Sequence, residues 1–378
     1  MPAMMCALVE ALQTIPDPRR QGENLKHPLV DLILRGFGGV LAGGEDFVEI
    51  AKWGKVNDPF LRTFLELPHG IASHDTFARV FALLPPSTWQ AVLLPWLLER
   101  RGVPGAWIPL DGKTLRGTRC QRQKLKALQV VSAWAGPSGI TLGQGAVAAQ
   151  SNEITAMPEL LKLLDLHEKI VTTDAMGCQQ AIAETIVAGG GDYILAVKDN
   201  QPTLHAEIQA AFAQAPAPPL RSPRVATTWD QGHGRYEQRT VQALPACEYL
   251  SAAQGALWLG GLSVVRVTRE VWCQATGAQS MEVSFFLSSL PPTARRLGRA
   301  IRGHWSIENG LHWVLEVGFR EDARRVYDRT TAENVAFMNR LALSLLRGDP
   351  SKDSMKVKRK QAGWSIPYLA QLLGFHGT

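Results

Sequence analysis

Between residues 107 and 214 the chain changes texture in an order that few folds accept. Three apolar runs come first, at 107–111, 128–134 and 140–147, with Gly136-Pro137-Ser138-Gly139 as a turn between the last two. Helical periodicity follows over 155–166, with Asn152 or Thr155 as its cap, then a strand at 170–174 and a helix at 179–188. A fifth strand at 192–198 leads into a helix at 202–214, opened by Pro202 in its first turn. The order β-β-β-α-β-α-β-α predicts an antiparallel meander running into further strands: an α/β mixed sheet covered by helices.

Two of these strands end in acids. The run at 107–111 closes on Asp111 before a glycine turn, and the run at 170–174 closes on Asp174. In a sheet of this order the two strands lie side by side, so both carboxylates emerge at one edge. A third acid comes from far downstream. Residues 302–322 read as one helix, with Ile307, Leu311 and Val314 as its apolar stripe. His304, Glu308 and His312, four apart, form a titratable stripe beside it. A carboxylate bordering a buried face requires a cation or a donor. Three converging carboxylates repel one another unless hard cations sit among them. Mg²⁺ suits such a set, because it takes oxygen ligands and is completed by water and substrate phosphate. Two such ions can activate a nucleophile and stabilise a leaving oxygen in phosphodiester chemistry. Singly, each acid reads as a turn residue or a solvated helix face; together they favour a site. Zn²⁺ on the His304–Glu308–His312 stripe is the weaker reading, since the triad already uses Glu308.

The charge pattern agrees with a polyanionic partner. The 378 residues carry a net charge of +6, 46% hydrophobic and 20% charged residues, a globular composition too large for one core. The basic residues cluster: Lys113, Arg116, Arg119, Arg122, Lys124 and Lys126; then Arg295, Arg296, Arg299 and Arg302; then Lys352, Lys356, Lys358, Arg359 and Lys360. Any one cluster is explained by solvated surface, whereas three fit DNA. The five cysteines show no metal-ligand spacing, which predicts a reducing compartment and no zinc-finger site. No signal peptide and no apolar run of about 18 residues is read, so a soluble, cytoplasmic protein without membrane contact is expected.

Around this centre, residues 1–103 read as a helical N-terminal domain for DNA binding or pairing, or as a plain packing domain. The apolar run at 29–41 carries Asp31 and Arg35, and Gly36, Gly38 and Gly39 suggest close helix packing. Ser73 or Asp75 caps a helix through Leu84, and Ser87 with Gln90 has capping-box spacing. Residues 104–223 form the first part of the catalytic domain and end in a linker containing Pro216, Pro218, Pro219 and Pro223. Residues 224–291 read as a β-rich insertion, with strands at 233–244, 257–271 and 281–287. Residues 292–349 return to the catalytic domain, with Thr330 and Glu333 capping a long helix, and residues 350–378 form a basic tail ending in a short helix. Trp229, Trp258 and Trp272 read as core residues, with base stacking as the less favoured role.

The motifs also resemble a family. Leu110-Asp-Gly-Lys-Thr-Leu-Arg-Gly117, Thr173-Asp-Ala-Met-Gly-Cys-Gln179, Lys198-Asp-Asn-Gln201, His233-Gly-Arg-Tyr-Glu-Gln-Arg239 and His304-Trp-Ser-Ile-Glu-Asn309, running on to Phe319-Arg-Glu-Asp322, look like a bacterial insertion-sequence DDE transposase of the H-repeat-associated, ISAs-type branch. Ser73-His-Asp-Thr-Phe-Ala-Arg79 resembles the helical domain that accompanies it. The resemblance covers nearly the whole chain. It implies a ribonuclease-H-like catalytic fold, with Asp111, Asp174 and Glu308 as catalytic and metal-binding triad. It also implies cleavage at mobile-element ends and joining to target DNA with two Mg²⁺ ions, for which Mn²⁺ substitutes. The expected DNA contacts are Lys113, Arg116, Lys198, Asn200, Gln201, His233, Arg235, Arg239, His304, Trp305, His312 and Arg320. The expected partners are double-stranded DNA, as element ends and target, and a second copy in a homodimer on that DNA. The chain departs from the wider superfamily around the glutamate: Ile301 and His304 stand where a tyrosine and an arginine are common, and His312 and Leu315 where lysines are. A domesticated DNA-binding protein and a metal-dependent nuclease that does not transpose are the competing functions.

Overall fold

The computed structural model describes residues 7–20, 22, 25–102, 105–136, 138–148, 151–216, 222–232 and 234–375. Part of the linker around Pro218 and Pro219, and the expected DNA contact His233, lie outside the described residues. The fold is mixed α/β, with a large mixed sheet and helices. Its strands are β1 (Trp107–Leu115), β2 (Leu128–Ala135), β3 (Ile140–Ala146), β4 (Ile170–Thr173), β5 (Asp192–Val197), β6 (Val225–Gly232), β7 (Arg235–Pro245), β8 (Ser263–Cys273) and β9 (Gln279–Ser288). The chain divides into two compact units. One is Met1–Pro104, Gly112–Ala149 and Glu308–Thr378; the other is Gly105–Asp111 and Gln150–Ile307. The division falls inside β1, directly after Asp111, and again directly before Glu308.

In the unit holding Gln150–Ile307 the strands run in the order β1-β4-β5-β9-β8-β7-β6. The pairs β1·β4 and β4·β5 are parallel and β5·β9 is antiparallel. Strands β6 to β9 therefore extend the same sheet, and form a meander whose β7·β8 and β8·β9 ladders run through ten or more paired positions. The helix Ala294–His304 covers this sheet. Its Ala294, Leu297, Ala300 and Ile301 pack on Ile170, Ile194, Val241, Ala243, Val265 and Val267. Strand alternation explains the selection: Val241 and Ala243 point to the helix, while the residues between them face the other way. The helix expected at 202–214 forms as Pro202–Gln214.

The other unit holds the hairpin β2·β3 and most of the long helices. Its centre is the helix Arg329–Leu346, buried nearly throughout. An apolar helix buried on all sides still has polar groups to satisfy, and most find a partner, Asn339 Oδ1 and Arg340 Nη2 being exceptions. Asn334 donates to the carbonyls of Phe81 and Leu84, both at 2.8 Å, and accepts from Trp89 Nε1 at 2.8 Å. Ser344 Oγ accepts from Thr141 N on β3 at 3.1 Å. Arg340, fully buried, meets Glu321 at 2.9 Å, Ser132 Oγ on β2 at 3.0 Å and the carbonyl of Ala336 at 3.0 Å. The apolar run at 29–41 is the helix Leu29–Leu41, and a side chain at Gly38 would stand 2.7 Å from Trp53.

Two local expectations need correction. The cap of the long helix is Asp328, which accepts from Thr331 N at 2.8 Å, so Thr330 lies inside the first turn rather than at the cap. Ser87 lies inside the helix Pro86–Arg101, and Gln90 instead accepts from Gln144 N at 3.2 Å. Ser73, by contrast, caps the helix His74–Leu83 as expected. The basic C-terminal stretch keeps Lys352, Lys356 and Lys360 exposed, and the short helix expected at its end forms. Helices Met355–Trp364 and Ile366–Leu373 form there, and Lys358 and Arg359 are buried. Arg359 donates to the carbonyls of Val40 and Gly318 and lies 4.4 Å from the Phe319 ring centroid, while burial pulls its pKa down to about 10. Among the described residues no single helix is long and apolar enough to cross a membrane.

Replacing Arg340 with methionine strands the Glu321 carboxylate in the interior. Unfolding free energy should drop by about 3–5 kcal/mol in a denaturant titration. Adding Glu321→Gln to that variant should recover part of the loss, because a neutral amide is cheaper to bury than an unpaired carboxylate.

Candidate active site

The parallel register of β1 and β4 pairs Leu110 with Thr173. Asp111 and Asp174 are the next residues on each strand, so the two carboxylates leave neighbouring strands at the same level. β1 itself does not stop at Asp111, contrary to the turn expected there; it continues to Leu115. What stops at this level is its pairing with β4.

Asp174 opens a tight loop, and its Oδ1 accepts from Gly177 N at 3.2 Å. Gly177 is required sterically: a Cβ there would fall 2.5 Å from the Cβ of Thr173. Residues after β5 brace the loop. Asn200 Nδ2 donates to the carbonyl of Ala175 at 2.5 Å, and Gln201 Nε2 to the carbonyl of Cys178 at 2.8 Å. Both were expected to touch DNA; in the structure both hold the backbone that carries Asp174. The Cys178 thiol is buried and its pKa is pushed up to about 12, so it is not a nucleophile.

His304, at the end of the helix Ala294–His304, hydrogen-bonds through Nδ1 to Thr172 Oγ1 at 2.9 Å. Burial pulls its imidazole below the ordinary value against the opposing pull of Asp174, which keeps it neutral near pH 7. Glu153, in the first turn of the helix Glu153–Leu161, is a buried acid that the sequence did not single out. Burial, and then the charge of Asp174, raises its pKa. An acid at a helix N-terminus reads as a dipole partner, which hides any other role in the sequence.

Glu308 and His312 belong to the other unit. The continuous helix expected over 302–322 is broken: the α-helix ends at His304, Glu308–His312 forms a π-helical turn, and a new α-helix runs from Trp313 to Phe319. Ile307, Leu311 and Val314 are nevertheless buried, as their spacing implied. The wider turn stays braced, since Arg347 donates to the carbonyl of Gly310 at 2.7 Å and lies 5.5 Å from the Trp134 ring centroid. Glu308 is 55% exposed and its Oε2 stands 3.8 Å from His312 Nδ1. Such π turns recur at functional sites.

The remaining expected contacts are divided between the two units. Lys113 lies between Glu316 at 3.3 Å and Asp322 at 3.7 Å, and Arg116 is exposed with Asp322 3.7 Å away. Arg320 caps the helix Trp313–Phe319 in a left-handed conformation and pairs with Glu45 at 3.1 Å. Lys198, Arg235 and Trp305 are exposed. Arg239 sits in an ion-paired row with Glu237, Asp230 and Arg269. Trp229, expected in the core, is 65% exposed and stacks on Trp272 with ring centroids 6.0 Å apart, whereas Trp258 is buried.

A mixed sheet with helices, presenting acids where two parallel strands part, defines an α/β protein, a class in which ligands commonly bind at the carboxyl ends of the strands. Residues 107–345 match the sequence model described as Transposase DDE domain, and residues 9–97 match the model described as DDE_Tnp_1-associated. The chain belongs to the DDE transposase family. It is 34% identical over 373 residues to the "Putative transposase YncI" of Escherichia coli O157:H7, covering 97% of this chain and 94% of that protein. It is 33% identical over 376 residues to the "H repeat-associated putative transposase YhhI" of Escherichia coli strain K12, covering 98% of each.

Gly177→Ala forces a methyl group against Thr173 in a loop with no room for it. A loss of about 1–3 kcal/mol in unfolding free energy is expected from the overpacking, measured by denaturant titration. An unchanged midpoint would show that the loop yields without strain.

Proposed function

We propose that this chain cuts DNA at the ends of a mobile element and joins the freed ends to target DNA, on a ribonuclease-H-like catalytic frame. The observation that carries the reading is the register of β1 and β4, which delivers Asp111 and Asp174 from the level at which the two strands part. Glu308 is the third acid. It follows by four residues a histidine bonded to Thr172, two residues before Asp174. Four residues of chain reach at most about 14 Å, so the covalent tether keeps Glu308 in that neighbourhood.

The donor set suits a hard divalent cation. Asp111 and Asp174 offer carboxylate oxygens on one unit, and Glu308 with the His312 imidazole on the other, a nitrogen donor that Mn²⁺ accepts more readily than Mg²⁺. When bound, two such ions supply Lewis-acid stabilisation to the attacking and leaving oxygens of an in-line phosphoryl displacement. The chain's own part is to orient these carboxylates. The Gly177 amide fixes Asp174, and His304, held neutral, anchors the approach to Glu308. In the first step water adds to phosphorus and the 3′-oxygen of the element end leaves as a hydroxyl. In the second, that hydroxyl adds to a target phosphodiester and the target 3′-oxygen leaves, so the number of phosphodiester bonds is conserved. Lys198, Arg235, Trp305 and Arg320 are exposed for contact with DNA, and the two ends are handled by a dimer.

The test is cleavage and joining of labelled duplexes carrying the element ends, in Mg²⁺ and in EDTA. Asp111→Asn, Asp174→Asn and Glu308→Gln should each slow end cleavage by about 10²–10³-fold or more, the scale of losing a group that acts in the transition state. EDTA should abolish it. Cleavage by Asp111→Asn at the wild-type rate would overturn the assignment, and cleavage without joining would leave a nuclease.

A further inference from the structure

The segment that follows β1 does not fold back as plain surface. Arg116–Thr118 makes one 3₁₀ turn, Cys120 and Leu125 then bridge, and Lys124 closes the loop at φ 54°. Thr118 pins the base: its hydroxyl donates to the Leu115 carbonyl at 2.7 Å and accepts from Leu128 N at 2.7 Å. Opposite stands the turn Glu321–Ala323 and the strand-like segment after it. The two walls touch at Gly117, where a Cβ would lie 2.1 Å from the carbonyl oxygen of Arg324. Arg324 is itself anchored behind the wall, donating to the carbonyl of Gly44 at 3.3 Å. Between the walls lies an open groove of about 960 Å³, lined by Arg116, Arg119, Arg122 and Arg325, with Tyr327 and Asp322.

Its charge is one-sided. Asp322 is the single acid among the described lining residues, and it is already engaged by Lys113 and Arg116. Among the described residues no carboxylate pairs with Arg119, Arg122 or Arg325. Uncompensated guanidiniums gathered on a fixed concave surface are suited to phosphate, which they meet through paired N–H donors. The groove is far too large for one phosphate ion and has one aromatic, Tyr327, where a single-strand channel would present a series of stacking rings.

We infer that this arginine-lined groove holds consecutive backbone phosphates of duplex DNA, as a track outside the acidic site. The inference rests on the reading that the chain acts on DNA. Arg116 follows Asp111 by five residues, a chain reach of at most about 18 Å. At a rise of about 3.4 Å per nucleotide, the track begins within about five base pairs of a phosphate held at Asp111.

The experiment is duplex binding by the full-length protein in EDTA across a salt series, using a random-sequence duplex because phosphate contacts carry no base information. For Arg119→Ala/Arg122→Ala/Arg325→Ala, the slope of log affinity against log salt should shrink by about 2.7, from about 0.9 per phosphate contact. Arg119→Lys/Arg122→Lys/Arg325→Lys should keep most of the slope, which separates charge from misfolding. An unchanged slope in the alanine variant overturns the track even if the wild type cleaves element ends. A reduced slope with no cleavage by the wild type supports the track and removes the transposase chemistry. Failure of the wild type to bind duplex DNA overturns both. Saturable binding of inorganic phosphate to the wild type, lost in the alanine variant while the DNA slope stays unchanged, would reassign the groove to a small anion.

Discussion

Parallel pairing of β1 with β4 is the constraint on which the candidate chemistry rests. Side chains along a strand alternate, and a shift of one residue would send one aspartate to the opposite face of the sheet. The apolar residues fix the register. Ile170 and Ile194 must meet the helix Ala294–His304, and Ile108 and Leu110 must stay buried. Once those are placed, Leu110 stands opposite Thr173 and the acids that follow have no freedom to separate. The carboxylates are thus positioned by hydrophobic burial, although their mutual repulsion opposes it.

Buried arginines do for the other unit what apolar packing does for the sheet. Arg340 and Arg359, buried, and Arg347, half-buried, each direct some of their donors to backbone carbonyls or a buried partner, and each reaches segments distant in sequence. Arg347 braces the π turn of Glu308, and Arg359 reaches Val40 and Gly318 from near the C-terminus. A guanidinium offers several donors in a fixed plane, so one side chain can stitch two or three backbone segments at once. Their number makes the chain look more available to DNA than it is: part of its positive charge is structural.

The sheet and helix order were legible because hydrophobic periodicity survives in the sequence, and the helix Pro202–Gln214 formed as its pattern indicated. Caps were less legible. Thr330 and Glu333 have capping-box spacing, yet Asp328, two residues earlier, takes the role, since several short polar residues compete for the same amides. The break in the helix around Glu308 left no trace either. A π turn inserts one residue into a helix whose apolar stripe reads continuously, so Ile307, Leu311 and Val314 look regular while the backbone is not. Trp229 was misplaced because a large aromatic is usually interior; at the far end of a long meander its partner is another ring, Trp272.

The sequence by itself determined the element order and the family motifs, because these rest on local spacing and on residue identity. Tertiary structure decided which of those residues remain available. Asn200 and Gln201 bond the backbone of the Asp174 loop although Asn200 stays exposed, Lys358 and Arg359 become core donors, and Arg119, Arg122 and Arg325 line one groove although Arg325 lies some two hundred residues from the others. Availability depends on what packs against a side chain, and packing partners distant along the chain leave no periodic mark on it.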